Sequence, residues 1–195
     1  MKKMNLTTLV MGALISGSLA DASGNIKLPP TNPDEIKLVT FNDVNAGAKL
    51  YIKDDEGDMH YFERIRKEGN YARSFDLSNL PDDAYYFEMN KANSIMILPF
   101  DVENDKITMK TNLKTEIAKP QLFPQRDKVF LKRDSEGMQK MTIEIYFEGR
   151  DLVYSNEVEK EGDLLQRFDF SKSAPGEYLF YIKYADRTFM EYVEM

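Results

Sequence analysis

The chain of 195 residues has no cysteine and no tryptophan, and it has a single histidine. Without thiols there is no disulfide, cysteine nucleophile, iron–sulfur cluster, thiolate zinc site or bacterial lipoprotein acylation. One imidazole cannot build a histidine metal cluster, and a Ser-His-Asp site would need the G-x-S-x-G elbow, which is missing. The ten glycines are dispersed, and none falls in G-x-G-x-x-G or G-x-x-x-x-G-K, so no loop is built to cradle phosphate. No segment sustains a 3.6-residue apolar period, which argues against long amphipathic helices. With 42% hydrophobic, 12% aromatic and 30% charged residues, the composition is that of a globular protein, neither a disordered polymer nor a fibrous rod.

Basic charge is also scarce. The formal net charge is −7, and Lys and Arg are interspersed with acids, as in Glu157-Val158-Glu159-Lys160-Glu161. Nucleic acid is therefore excluded as a ligand, because that function needs a clustered basic surface to displace counterions. Met1-Lys2-Lys3, a mostly apolar stretch from Leu6 to Ile15 and Ser18-Leu19-Ala20 follow the order of a secretory signal. Residues 1–20 are accordingly expected to be a signal peptide cleaved after Ala20, leaving a mature chain of about −9. A retained anchor is the alternative, but the apolar run is short of the ~20 residues a bilayer requires, and no later segment could span one. Residues 21–35 hold three prolines and read as an extended linker.

From Ile36 onward, short alternating runs recur with turn residues between them: Ile36–Phe41, Lys49–Lys53, Met59–Arg66, Tyr71–Leu77, Ala84–Asn90, Ser94–Val102 and Asp105–Lys110. The second half repeats the texture in Lys128–Lys132, Met138–Phe147, Leu152–Val158, Leu164–Phe170, Glu177–Tyr184 and Thr188–Val193. Such spacing predicts antiparallel strands packed as sandwiches. Laid over itself with an offset of 93 and no gap, the chain matches Leu50–Val102 to Ile143–Met195 with twelve identities. These include Tyr61 with Tyr154, Phe75-Asp76 with Phe168-Asp169, Tyr85 with Tyr178 and Phe87 with Phe180. The predicted fold is all-β: two tandem antiparallel Ig-like or fibronectin-like β-sandwiches, at residues 36–112 and 113–195. The break is placed near Asn112–Pro120, where the strand pattern lapses and prolines stiffen the passage.

Each copy contains a corner, Phe75-Asp76-Leu77-Ser78 running to Tyr85 and Phe168-Asp169-Phe170-Ser171 running to Tyr178. A Tyr opening the next strand can bury its ring while its hydroxyl satisfies a corner carbonyl, the tyrosine-corner device. Together with Lys128-Val129-Phe130-Leu131, Ile143-Glu144-Ile145-Tyr146-Phe147, Gly149-Arg150-Asp151-Leu152-Val153-Tyr154, Pro175-Gly176-Glu177-Tyr178 and the last strand, this corner resembles the C-terminal sorting domains of proteins exported by the type IX secretion system. The resemblance implies a small Ig-like sandwich and an extracytoplasmic setting. Where that family usually ends on a basic strand, this sequence reads Glu191-Tyr192-Val193-Glu194-Met195.

The chemistry-bearing residues are few. His60 reads as an ordinary strand residue in preference to a catalytic base. Asp54-Asp55-Glu56-Gly57-Asp58 clusters carboxylates at a glycine turn and could offer oxygen ligands to Ca²⁺, but it reads better as a solvated hairpin loop. Tyr51, Tyr86, Tyr181 and Tyr192 fall on outward parities, where they could form a stacking platform for a glycan. No catalytic, cofactor-binding or metal-binding residue is predicted. The expectation is a secreted or periplasmic, non-enzymatic protein that contacts a protein or cell-surface partner, with carbohydrate binding as the alternative.

Overall fold

A computed structural model describes residues 36–104, 106–134 and 138–195, with backbone alone at Met138 and Gln139. The signal and linker predictions for 1–20 and 21–35 lie outside the described residues. The described chain is almost entirely antiparallel strand, and no α-helix occurs among the described residues. It divides into two compact units: residues up to Ala92 with Met96–Thr115, and Asn93–Ile95 with Glu116–Met195.

The first unit contains β1 (Ile36–Val44), β2 (Lys49–Asp54), β3 (Met59–Arg64), β4 (Gly69–Asp76), β5 (Asp83–Asn90), β6 (Ser94–Glu103) and β7 (Lys106–Met109), then a 3₁₀ turn at Thr111–Leu113. Strands β1 and β4 form one sheet, and the other runs in the order β3-β2-β5-β6-β7. The change of unit falls inside β8 (Thr115–Ala118). The second unit continues with β9 (Gln121–Gln125), β10 (Lys128–Arg133), β11 (Met138–Phe147), β12 (Asp151–Glu161), β13 (Leu164–Asp169), β14 (Glu177–Tyr184) and β15 (Arg187–Glu194). Its sheets are β9-β10-β13 and β12-β11-β14-β15. Each unit is thus a two-sheet sandwich.

Side-chain alternation explains why these segments pair as they do. In β5, Tyr85, Phe87 and Met89 are buried, and in β14 so are Tyr178, Phe180 and Ile182. Each buried aliphatic or aromatic side chain contributes about 1.5–3 kcal/mol relative to exposure. A one-residue slip would turn every one of them to solvent, which pins the register. The register itself is duplicated. Leu50 faces Met89 and Ile52 faces Phe87 in the first unit, as Ile143 faces Ile182 and Ile145 faces Phe180 in the second. Even the irregularity repeats, with β2 slipping against β3 between Ile52 and Lys53 and β11 against β12 between Ile145 and Tyr146. The first strands need an offset of 92, since Lys37 opposes Phe75 where Val129 opposes Phe168. That places Arg133 at the position of Phe41.

Both corners form as expected. The Tyr85 hydroxyl donates to the Pro81 carbonyl at 2.9 Å, and the Tyr178 hydroxyl donates to the Ala174 carbonyl at 2.7 Å. Asp76 and Asp169 each accept the backbone N–H two residues on, from Ser78 and Ser171, both at 3.1 Å. Removing one such hydroxyl leaves a corner carbonyl short of a donor. Tyr85→Phe is therefore expected to lower stability by about 0.5–1.5 kcal/mol, and Tyr178→Phe by a similar amount. An unchanged urea midpoint in both variants would remove the hydroxyl from the account of the corner.

The structure departs from the sequence reading in one place, and it buries two charged side chains. Residues read as a stiffened passage carry β8 and β9. Pro124 is accommodated because β9 is an edge strand and Pro124 is exposed, so its missing N–H costs no ladder bond. Glu88, on an outward parity, is only 2% exposed, with Lys53 Nζ 3.1 Å from its Oε1. Arg133 is 1% exposed: its Nη2 donates to the Gly162 carbonyl at 2.7 Å, and its guanidinium lies 4.9 Å from the Tyr184 ring centre. Donation to a carbonyl and stacking on a ring let a guanidinium occupy the place that Phe41 fills in the first unit.

Candidate functional site

Outward residues of the β12-β11-β14-β15 sheet assemble an apolar face. The pairings place Leu152, Tyr146, Leu179 and Tyr192 side by side, one from each strand, in a row about 14 Å across. The next row is Ser155, Glu144, Tyr181 and Met190, and beyond it Glu157, Thr142, Lys183 and Thr188. Leu152, Met190 and Tyr192 are 54%, 64% and 59% exposed, while Tyr146, Leu179 and Tyr181 are half-buried by their neighbours. The Tyr146 hydroxyl donates to Glu144 Oε2 at 3.0 Å, and that bond raises the tyrosine pKa above its ordinary value. Lys183 Nζ lies 5.3 Å from the Tyr181 ring centre. The opposite parity of the two central strands, β11 and β14, fills the core, which fixes which of their side chains reach this face.

The four outward tyrosines named from sequence separate into two pairs. Tyr181 and Tyr192 lie in adjacent rows of this face. Tyr51 and Tyr86 lie on the corresponding face of the first unit, where Phe62 packs on Tyr51 at 5.2 Å between ring centres and Lys53 Nζ sits 4.8 Å from its centre. Tyr146 was not among the four, although it shares the parity of Glu144 in a strand whose alternate residues Ile143 and Ile145 are buried. That parity was the available signal. Leu152 was harder to place, since the irregularity after Ile145 is what sets it opposite Tyr146.

His60 projects beside the corner of the first unit. Its Nε2 lies 2.7 Å from Asp54 Oδ2, and its ring meets the Tyr85 ring edge-on at 5.3 Å. Asp54 Oδ1 accepts the Asp58 N–H at 2.7 Å, and the Gly57 N–H donates to the Asp54 carbonyl at 3.1 Å, so both Asp54 carboxylate oxygens are engaged within their own hairpin. Among the described residues, no group of three or more His, Asp or Glu side chains is placed to hold a metal ion.

The polar cluster that sequence reasoning missed closes the open side between β3 and β4. Glu63 Oε2 accepts from the Tyr61 hydroxyl (2.9 Å), the Tyr71 hydroxyl (2.9 Å) and Arg73 Nη1 (2.7 Å). Burial alone would raise the Glu63 pKa, but the two tyrosines and Arg73 hold it below the usual carboxylate range. Burial, then the bond to Glu63, pushes Tyr61 up to about 12. Asp54 is likewise held low, burial being outweighed by His60 and the Asp58 N–H. Both carboxyls bind protons more weakly when folded, so their stabilisation is full only at pH values above the unfolded ones, about 3.9 for Asp and 4.3 for Glu, and is lost as pH falls through the folded values. Their counterparts Phe147 and Asn156 do not titrate. The urea midpoint should therefore fall on acidification below about pH 4, and the fall should be smaller in Glu63→Gln; an identical pH profile for the two would refute the assignment.

Searches against protein-family models and curated proteins find no match to this chain. Among the described residues, no helix is long and apolar enough to cross a membrane.

Proposed function

We propose that the chain is an exported, non-enzymatic protein whose tandem sandwiches serve in adhesion, scaffolding or cell-surface association, and that the outward face of β11, β12, β14 and β15 is its contact surface. The observation that carries this reading is the row Leu152-Tyr146-Leu179-Tyr192, with Met190 and Tyr181 beside it. Contiguous exposed apolar surface rimmed by charge, here Glu157, Lys183 and Glu144, is characteristic of contact sites, and Tyr and Met are enriched in them. The N-terminal signal pattern and the resemblance to type IX sorting domains support an extracytoplasmic setting. Carbohydrate binding is the second reading, favoured by three tyrosines, Tyr146, Tyr181 and Tyr192, on one sheet face.

Cell-envelope fractions of the producing organism are expected to retain the purified chain. Met190→Asp combined with Tyr192→Asp should weaken retention by about tenfold or more without moving the urea midpoint. Retention equal to wild type would refute the face as the contact surface. Glycan-array binding lost on Tyr181→Ala would favour the second reading.

A further inference from the structure

The second unit contains a cavity of about 470 Å³ walled by the rings of Phe147, Tyr154, Phe168, Phe170 and Tyr178 and by Ser173, with the opposite charges of Arg167 and Asp169 also in its lining. It lies between β12 and β13, which are edge strands of opposite sheets. The duplicated register supplies an internal comparison. At the offset of 93, Ser173 corresponds to Leu80, and the two turns are built alike: the Leu80 N–H donates to the Leu77 carbonyl and the Ser173 N–H to the Phe170 carbonyl. Leu80 is only 9% exposed and belongs to the first unit's core, whereas Ser173 is exposed. On the same side, the first unit carries the Tyr61-Glu63-Tyr71-Arg73 cluster, where the second unit has Gln166 bonded to the Tyr154 hydroxyl at 2.9 Å. The second unit thus keeps Tyr154, Phe168 and Tyr178 from the shared pattern, has Phe147 and Phe170 where the first unit has Asp54 and Leu77, and lacks the leucine of the turn.

Strand β12 adds direction. Among the described residues it pairs only with β11, and its other edge has no strand partner there. Tyr154 points inward beside the cavity, while Glu157, Glu159 and Glu161 follow at alternate positions on the outward side, all exposed. A strand added to this edge would set one side chain opposite Tyr154 and into the cavity. Its residues at odd spacings from that one would then face the three carboxylates.

We propose that the β12 edge and this cavity together bind an extended, basic segment of a partner protein, which inserts one leucine-sized side chain where Leu80 sits in the first unit. The class of ligand follows from the template leucine and from the exposed carboxylates of Glu159 and Glu161, Glu157 being ion-paired with Lys140 at 2.8 Å. Main-chain bonds to β12 would supply register, and the cavity and charges would supply selectivity.

The probe is a synthetic peptide of alternating threonine and lysine carrying a single leucine on the threonine face, added to the full chain and followed by calorimetry. Binding is expected at low ionic strength and should weaken as salt rises, because the carboxylates are exposed. Changing the peptide leucine to serine should cost about tenfold or more, the value of burying a side chain of that size. Ser173→Leu should cost as much while raising the thermal midpoint, and Glu159→Lys with Glu161→Lys should also weaken binding. Met190→Asp, on the sheet face, should leave peptide binding unchanged, which separates this proposal from the contact-face reading. Absence of binding, equal binding of the serine peptide, wild-type binding by folded Ser173→Leu, or loss of binding in Met190→Asp would each overturn it.

Discussion

Phe180→Ala is expected to destabilise the protein by about 3–5 kcal/mol, read as a fall in the urea midpoint at constant slope. Phe180 is fully buried and faces Ile145 across the strand pair. Its ring centre lies 5.3 Å from that of Phe168 and 6.2 Å from that of Phe170. Truncation removes the transfer free energy of the ring and leaves a void, because the surrounding strands are held by their ladders and cannot collapse into it. Phe87 occupies the equivalent position, with Phe75 at 5.1 Å and Phe100 at 5.0 Å, and should respond alike. The neighbouring outward residue is the control: Leu179→Ala should fall within about 0.5 kcal/mol of wild type. A loss below about 1 kcal/mol at Phe180 would mean that the inward parity of β14 does not build the core.

Gly176→Ala carries the second large effect. Gly176 has φ of +147°, a region open essentially to glycine alone. A Cβ there would approach the Phe147 ring to 2.9 Å and Glu148 Oε1 to 2.6 Å. The Glu148 side chain can swing aside, but Phe147 packs against Tyr178 at 5.1 Å between ring centres and has less room to give. The backbone cannot relax freely either, because Gly176 exchanges both N–H···O bonds with Met195, at 2.8 and 3.0 Å. The expected cost is about 1–3 kcal/mol from backbone strain, before any displacement of Phe147. Asp83 stands at the same place in the first unit without a positive φ, so Asp83→Ala should have a much smaller effect. Equal thermal midpoints for Gly176→Ala and wild type would show that the turn adopts another conformation.

Strand positions, the inward parity of β5 and β14, the duplication and both tyrosine corners were legible because each is a local or periodic property. Alternating Tyr85, Phe87 and Met89 can bury one side of a strand in only one way, and a Tyr at a fixed distance after a turn reports its own corner. Pro124 misled for the same reason: a local signal forbids a central strand, but it permits an edge, and edge position is not a local property. The clustering of Tyr61, Glu63, Tyr71 and Arg73 depends on β3 and β4 meeting across two different sheets.

What the sequence alone determined is the all-β character, the repeat and the core faces, since these follow from side-chain period and turn chemistry. Tertiary structure decided where nonlocal neighbours fall: Leu152 opposite Tyr146, Arg133 in the place of Phe41, and the different fates of Leu80 and Ser173 in matching turns. Two copies with one register can bury a leucine in the first and leave an aromatic cavity in the second, because packing depends on volumes contributed by several strands at once, and no single segment encodes that sum.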